Sequence, residues 1–371
     1  MMPHIDGFNL DGGNPQETKT ECRFFRNLGE LVNLADGYRR KDGEGGCTYW
    51  FRGEESFFPD LQPGLFRSGV EHESELYQSA LSSAPERFRG LESVFDRLTL
   101  MRHYGYPVRL LDISQNILTA WFMALDAWRT VRNDIACVHP GSPCFPGGFF
   151  PCPRISVIRV PDNRVKAAES DLVTNLGMLA KVGDVFSFGK LWHEVRQERR
   201  DFDEGAFWDS VNEMFENWCV KPRMSNTRVD MQQGAFVLFG LHRDALRGEP
   251  VEATRDAQFP LRKSRGRPYN RIPPTGRAEP GEISLAGHLV PDGAAVAAAV
   301  DEGRAANSQM ERYVRAALRE LETCGVMERV VYRDDLERHA RYWADHYRRG
   351  EGRALRLKSN GLNQIRKEFE K

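Results

Sequence analysis

The chain has 371 residues, of which 40% are hydrophobic and 28% charged, and its 52 basic and 53 acidic residues leave a net charge of −1. That length carries a prior of about two to three domains. The composition excludes a disordered chain, and the neutrality excludes coating of nucleic acid by bulk electrostatics. No apolar run approaches the roughly 18 residues of a membrane-spanning helix, so no membrane partner is expected. Residues 1–14 lack a basic segment followed by an apolar run, so no signal peptide is expected. The seven cysteines then read as reduced thiols of a cytoplasmic protein.

Along the chain, residues 24–34 carry Phe24, Phe25, Leu28, Leu31 and Leu34 at helical spacing. A glycine-rich turn leads into Cys47, Thr48, Tyr49, Trp50 and Phe51, a β-branched and aromatic run that predicts a strand ending in Arg52-Gly53. Residues 71–83 and 86–103 predict helices. A Gly105-Tyr106-Pro107 turn, an apolar segment at 109–112 and a helix over 116–129 follow, with Ser114 and Asn116 as candidate caps. Residues 139–153, rich in Pro and Gly, predict a loop, and the alternation at 154–160 predicts a strand. Helices are predicted at 172–185, 191–198 and 204–218, and a strand at 233–241. Residues 261–278 contain six basic residues and no acidic ones, which predicts a basic loop or insertion. An Ala-rich helix over 293–323, a short strand at 330–332 and a helix over 336–348 precede the tail.

Three segments carry candidate chemistry. In the first, Arg52 leaves an apolar strand and Gly53 follows. A guanidinium presents a planar fork to an oxyanion, and glycine admits a ligand close to the backbone. A pair with an internal carboxylate is the alternative. The second sets His103, Arg109, Asp112 and Ser114 within twelve residues of an apolar stretch. Polar groups there must be satisfied or functional, and an architectural Arg109–Asp112 pair is equally compatible. The third, Gln232-Gln233-Gly234, enters a strand and could present an amide to a ligand. A further group, Cys137, His139, Cys144 and Cys152, has soft ligands but matches no standard zinc spacing, so no metal site is expected.

These segments, in this order, resemble the FRG domain family, named for a Phe-Arg-Gly motif. The matching stretches are Phe51-Arg52-Gly53, Leu61 to Arg67, Met101 to Ser114, Asn116 to Ala124, Gln232 to Phe236, and 325–340. The chain departs from the pattern at Arg102 (Gln is usual), Val108 (Thr), Ile113 (Trp) and Arg333 (Pro). A weaker resemblance is to the Arg-Ser-Glu class of ADP-ribosyltransferases.

The resemblances imply an α+β fold with mixed or antiparallel sheets and packed helices, ADP-ribosyltransferase-like. They imply one FRG domain over 46–345, with insertions at 137–153 and 245–290, a partly helical extension at 1–45 and a basic tail at 346–371. The function implied is an NAD-dependent ADP-ribosyltransferase-like toxin or effector of bacterial anti-phage defence. Its target would be a nucleic acid or protein, with an antitoxin or defence-system protein as a further partner. Arg52 and Gly53 would bind the NAD pyrophosphate, Arg109 and Asp112 would brace the site, His103 and Ser114 would position the nicotinamide ribose, and Gln232 would contact ribose or substrate. The late glutamate of the transferase class is replaced by Gln232-Gln233, which leaves Glu54, Glu55 or Glu216 as the source of a carboxylate. A non-enzymatic module for a phosphate-bearing ligand or nucleic acid is the alternative. A metal-dependent nuclease is a weaker one, because the carboxylates are not clustered.

Overall fold

The computed structural model describes residues 21–55, 61–68, 72–135, 152–182, 185–222, 234–241, 259–260, 271–292 and 306–326. In chain order these hold β1 (Glu21–Phe25), α1 (Leu28–Arg39), β2 (Cys47–Glu54), α2 (Gly64–Ser68), α3 (Glu73–Ser83), α4 (Pro85–Phe88), α5 (Val94–His103), β3 (Leu110–Ser114) and α6 (Ile117–Ile135). There follow β4 (Arg154–Pro161), β5 (Val165–Ala167), α7 (Asp171–Val182), β6 (Val185–Phe186), α8 (Phe188–Glu198) and α9 (Glu204–Ser210). The last described elements are β7 (Trp218–Lys221), β8 (Gly234–Leu238), β9 (Phe259–Pro260), β10 (Ser284–Pro291) and α10 (Ala306–Thr323).

The fold is α+β. Eight strands form one mixed sheet in the order β1-β10-β4-β2-β3-β8-β7-β5, and β6 pairs with β9 apart from it. The two ends of the large sheet are parallel pairs, β1 with β10 and β5 with β7, and the interior pairs are antiparallel.

The sheet is nearly divided in two. Strand β2 pairs with β4 along its full length, from Cys47↔Pro161 to Glu54↔Arg154, and β3 pairs with β8 from Leu110↔Leu238 to Ser114↔Gly234. Between β2 and β3 the register holds one pair, Phe51↔Ser114. Each half has its own helical cover. Phe51, Ile155, Val157 and Leu289 pack with α1, α6 and α10, whereas Leu110, Phe236 and Leu238 pack with α3, α5, α7 and α8. A third cluster, including Trp50, Leu111, Ile113, Ile158 and Val237, fills the opposite side of the sheet and spans both halves.

Helix α6 lies against β2 because the contact surface is small. Ala120 and Ala124, one helical turn apart, are fully buried, and a Cβ on Gly53 would lie 1.9 Å from the Ala120 carbonyl oxygen. Trp121 and Trp128 carry the rest of that face, with Trp121 edge-on to Phe25 at 5.1 Å. Asn116 caps the helix, its Oδ1 accepting from the Leu118 and Thr119 amides.

Some predicted elements differ. The periodicity at 24–34 merges a strand and a helix, which Asn27 separates by accepting from the Glu30 amide at 2.9 Å. The helix predicted over 86–103 is broken at Gly90, which has a φ of 85°, and restarts at a capping box of Ser93 and Asp96. The helix predicted to run to 218 is α-helical to Ser210 and 3-10 over Val211–Phe215, and Trp218 opens β7. Within the stretch predicted as an insertion at 245–290, Ser284 onward is strand β10, which pairs with β1 and β4. Residues 137–151, the basic segment at 261–270, the strand and helix predicted beyond 327, and the tail lie outside the described residues.

Candidate functional site

The three motif segments meet in one cross-strand row. Phe51 on β2 pairs with Ser114 on β3, and Ser114 pairs with Gly234 on β8. Beside this row the strands part, and a crevice opens that is lined by Arg52, Gly53, Asp112, Ser114, Met123 and Phe236 among others. It offers about 20 Å³ to the centre of a water-sized sphere. A single water needs roughly 10–15 Å³ on that measure, so the crevice takes one small polar group rather than a whole nucleotide.

Arg52 lines this crevice with its side chain 14% exposed. Its Nη1 donates to the Asp112 carbonyl at 3.0 Å and lies 3.5 Å from Asp112 Oδ2. Its Nε is 3.8 Å from Glu54 Oε1 and has no hydrogen-bond partner. Both carboxylates are held more closely by other arginines. Arg102 Nε donates to Asp112 Oδ2 at 2.6 Å, and Arg102 Nη2 also meets that oxygen. Arg154 Nη2 lies 2.9 Å from Glu54 Oε2, which also accepts from Ser156 Oγ at 2.6 Å. A ladder of alternating charge, Arg102–Asp112–Arg52–Glu54–Arg154, therefore crosses β3, β2 and β4, and its three guanidiniums exceed its two carboxylates by one positive charge.

Burial pushes the Asp112 carboxyl up, but the Arg102 and Arg52 charges and the Arg102 hydrogen bond outweigh it and hold the group below its ordinary value. At the far end, buried His288 on β10 places Nδ1 3.2 Å from Ser156 Oγ. Burial, with the Arg154 charge adding to it, holds that imidazole well below its ordinary value of 6.5.

The predicted residues fall into separate groups. Arg52, Gly53, Asp112 and Ser114 line the crevice. The space that glycine clears at position 53 is filled by the α6 backbone rather than left for a ligand. Ser114 Oγ accepts from the Asn116 amide at 2.9 Å. His103 ends α5, sits edge-on to Tyr104 and is not part of the lining. Arg109 is fully buried with Glu73 on α3: its Nε donates to Oε1 at 2.7 Å, its Nη2 meets Oε2, and its Nη1 donates to the Leu176 carbonyl. A pair with Asp112 is not formed, since residues three apart in an extended chain are about 10 Å apart. Gln232, Cys137, His139 and Cys144 lie outside the described residues, and Cys152 is buried beside β4. Glu216 pairs with Arg164. Among the described residues no cluster of histidine, cysteine or carboxylate side chains could hold a metal ion, and no helix is long and apolar enough to cross a membrane.

Sequence reasoning noted Arg102 only as a departure from the family pattern, and it missed Arg154, Ser156, His288 and Glu73. The strand pairing alone brings Arg154 and Ser156 to Glu54 and His288 to Ser156, and no spacing in the sequence signals it.

The fold is thus an α+β protein whose mixed sheet is split, with an arginine in the crevice where its halves part. The chain carries an FRG domain: the family model of that description matches residues 47–132. The match takes in β2, β3 and most of α6, and stops before the segments at Gln232 and at 325–340. No curated protein and no solved structure matches the chain.

Proposed function

We propose that the crevice between β2 and β3 binds the pyrophosphate of a nucleotide, NAD by the resemblance, with Arg52 as the anion contact. One observation carries the reading. Arg52 sits 3.5 and 3.8 Å from two carboxylates that other arginines hold more closely, and its Nε is without a hydrogen-bond partner. Such a guanidinium keeps excess charge for an incoming oxyanion, and charge-assisted hydrogen bonds to phosphate are among the stronger ones. The crevice volume suits one phosphoryl oxygen, with the rest of the nucleotide lying outside it. The Ser114 hydroxyl at the lining would contact the ribose.

NAD would supply an ADP-ribosyl group for transfer. Such a transfer calls for a carboxylate at the reacting carbon. Asp112, in the lining, is engaged by Arg102, and Glu54 is buried and engaged by Arg154 and Ser156. That observation favours a second reading, a module that binds the nucleotide without turning it over. Calorimetric titration with NAD and with ADP-ribose, together with label transfer from radiolabelled NAD, separates the two. Both readings expect binding of both ligands. Label on protein or nucleic acid supports the transferase, and with it the role of toxin or effector. Binding without label supports the module, and absence of binding removes both.

A further inference from the structure

We infer that Arg102 is the positioning residue that leaves Arg52 open to an anion, because it takes the Asp112 carboxylate for itself. The inference rests on the reading of Arg52 as the anion contact. Both guanidiniums address one atom, Asp112 Oδ2. Arg102 reaches it through Nε at 2.6 Å and through Nη2, and Arg52 reaches it through Nη1 at 3.5 Å. Coulomb attraction falls with separation, and the shorter contact also carries a charge-assisted hydrogen bond. Asp112 is therefore neutralised mainly by Arg102, and Arg52 keeps most of its charge.

The position of Arg102 is built in. It stands in the last turn of α5, where the helix dipole favours a cation. That helix is fixed by its Ser93–Asp96 capping box and by buried Phe95, Leu98 and Met101. On the other flank, Arg154 holds Glu54 in the same way. The ladder thus carries one surplus positive charge only while Arg102 is present. With Gln at position 102, guanidiniums and carboxylates balance, and Asp112 has Arg52 as its remaining partner. The chain's departure from the family pattern at this position then strengthens anion binding rather than abolishing it.

The account is testable by a double-mutant cycle of charge-neutralising variants. ADP-ribose is titrated into the full chain as wild type, R102Q, D112N and R102Q/D112N, at one salt concentration, with each variant's melting temperature as a control. R102Q is expected to bind about tenfold more weakly, and the double variant, with the surplus charge restored, within about threefold of wild type. D112N alone is expected to bind more tightly than wild type. A merely structural role for Arg102 predicts no rescue by D112N. Equal affinity of R102Q and wild type overturns the inference, as does a double variant as weak as R102Q. Should R102Q not fold, D112N decides, since unchanged or weaker binding there contradicts the account. A wild-type chain that binds no ADP-ribose removes instead the reading on which the inference rests.

Discussion

A side-chain carbon on Gly53 would lie 1.9 Å from the carbonyl oxygen of Ala120 and 2.6 Å from the Ala124 amide nitrogen. Both neighbours are backbone of α6, so neither can swing aside. The glycine of the family's Phe-Arg-Gly motif is here a packing requirement, which sets α6 against β2 and so holds Arg52 at the crevice. G53A is expected to destabilise the fold by at least the ~1–3 kcal/mol typical of overpacking. Urea denaturation checks this, and a midpoint equal to wild type would show that the strand and helix can part freely.

Arg109 and Glu73 form a buried pair that ties β3 to α3. Removing one partner leaves the other charge unpaired, so E73A or R109A is expected to cost ~3–5 kcal/mol in denaturant unfolding. The double change E73L/R109M removes both charges and is expected to recover most of that loss. Because neither residue lines the crevice, nucleotide affinity of the folded double variant should match wild type. A large affinity loss there would place Arg109 in the site.

The acid response follows from His288. Its folded pKa is held well below 6.5, so the unfolded chain takes up a proton first as pH falls. Its contribution to stability is therefore fully present above 6.5 and declines below it, down to the folded value. Stability measured between about pH 7.5 and pH 5.5 should fall in wild type and fall less steeply in H288Q. Identical slopes would mean that His288 takes up a proton as readily in the folded chain as in the unfolded one.

How much of this was legible in the sequence differs by residue. The strand ending in Arg52 and the helix after Asn116 follow from local periodicity and capping, whereas the joining of the three motif segments in one site was implied by the resemblance. Asn27 and Gly90 interrupt runs whose apolar spacing reads as continuous helix, because spacing alone carries no cap or φ. Strand β10 lies within the stretch predicted as an insertion, and its Gly287 is needed where a Cβ would lie 2.9 Å from the Glu21 carbonyl oxygen. The partners of the site were least legible. Arg154 and Ser156 reach Glu54 from about a hundred residues away, and Glu73 rather than nearby Asp112 takes Arg109. Such contacts depend on sheet register and helix docking, which no local pattern encodes.

The central claim is that Arg52 is the anion contact. It is tested most directly by titrating NAD into wild type and R52Q at low salt, where screening is least. Glutamine keeps polarity and much of the length but removes the guanidinium charge. The account predicts saturable binding to wild type and at least about tenfold weaker binding to R52Q, with the unfolding midpoint little changed. Equal affinity of the two proteins for NAD would contradict it.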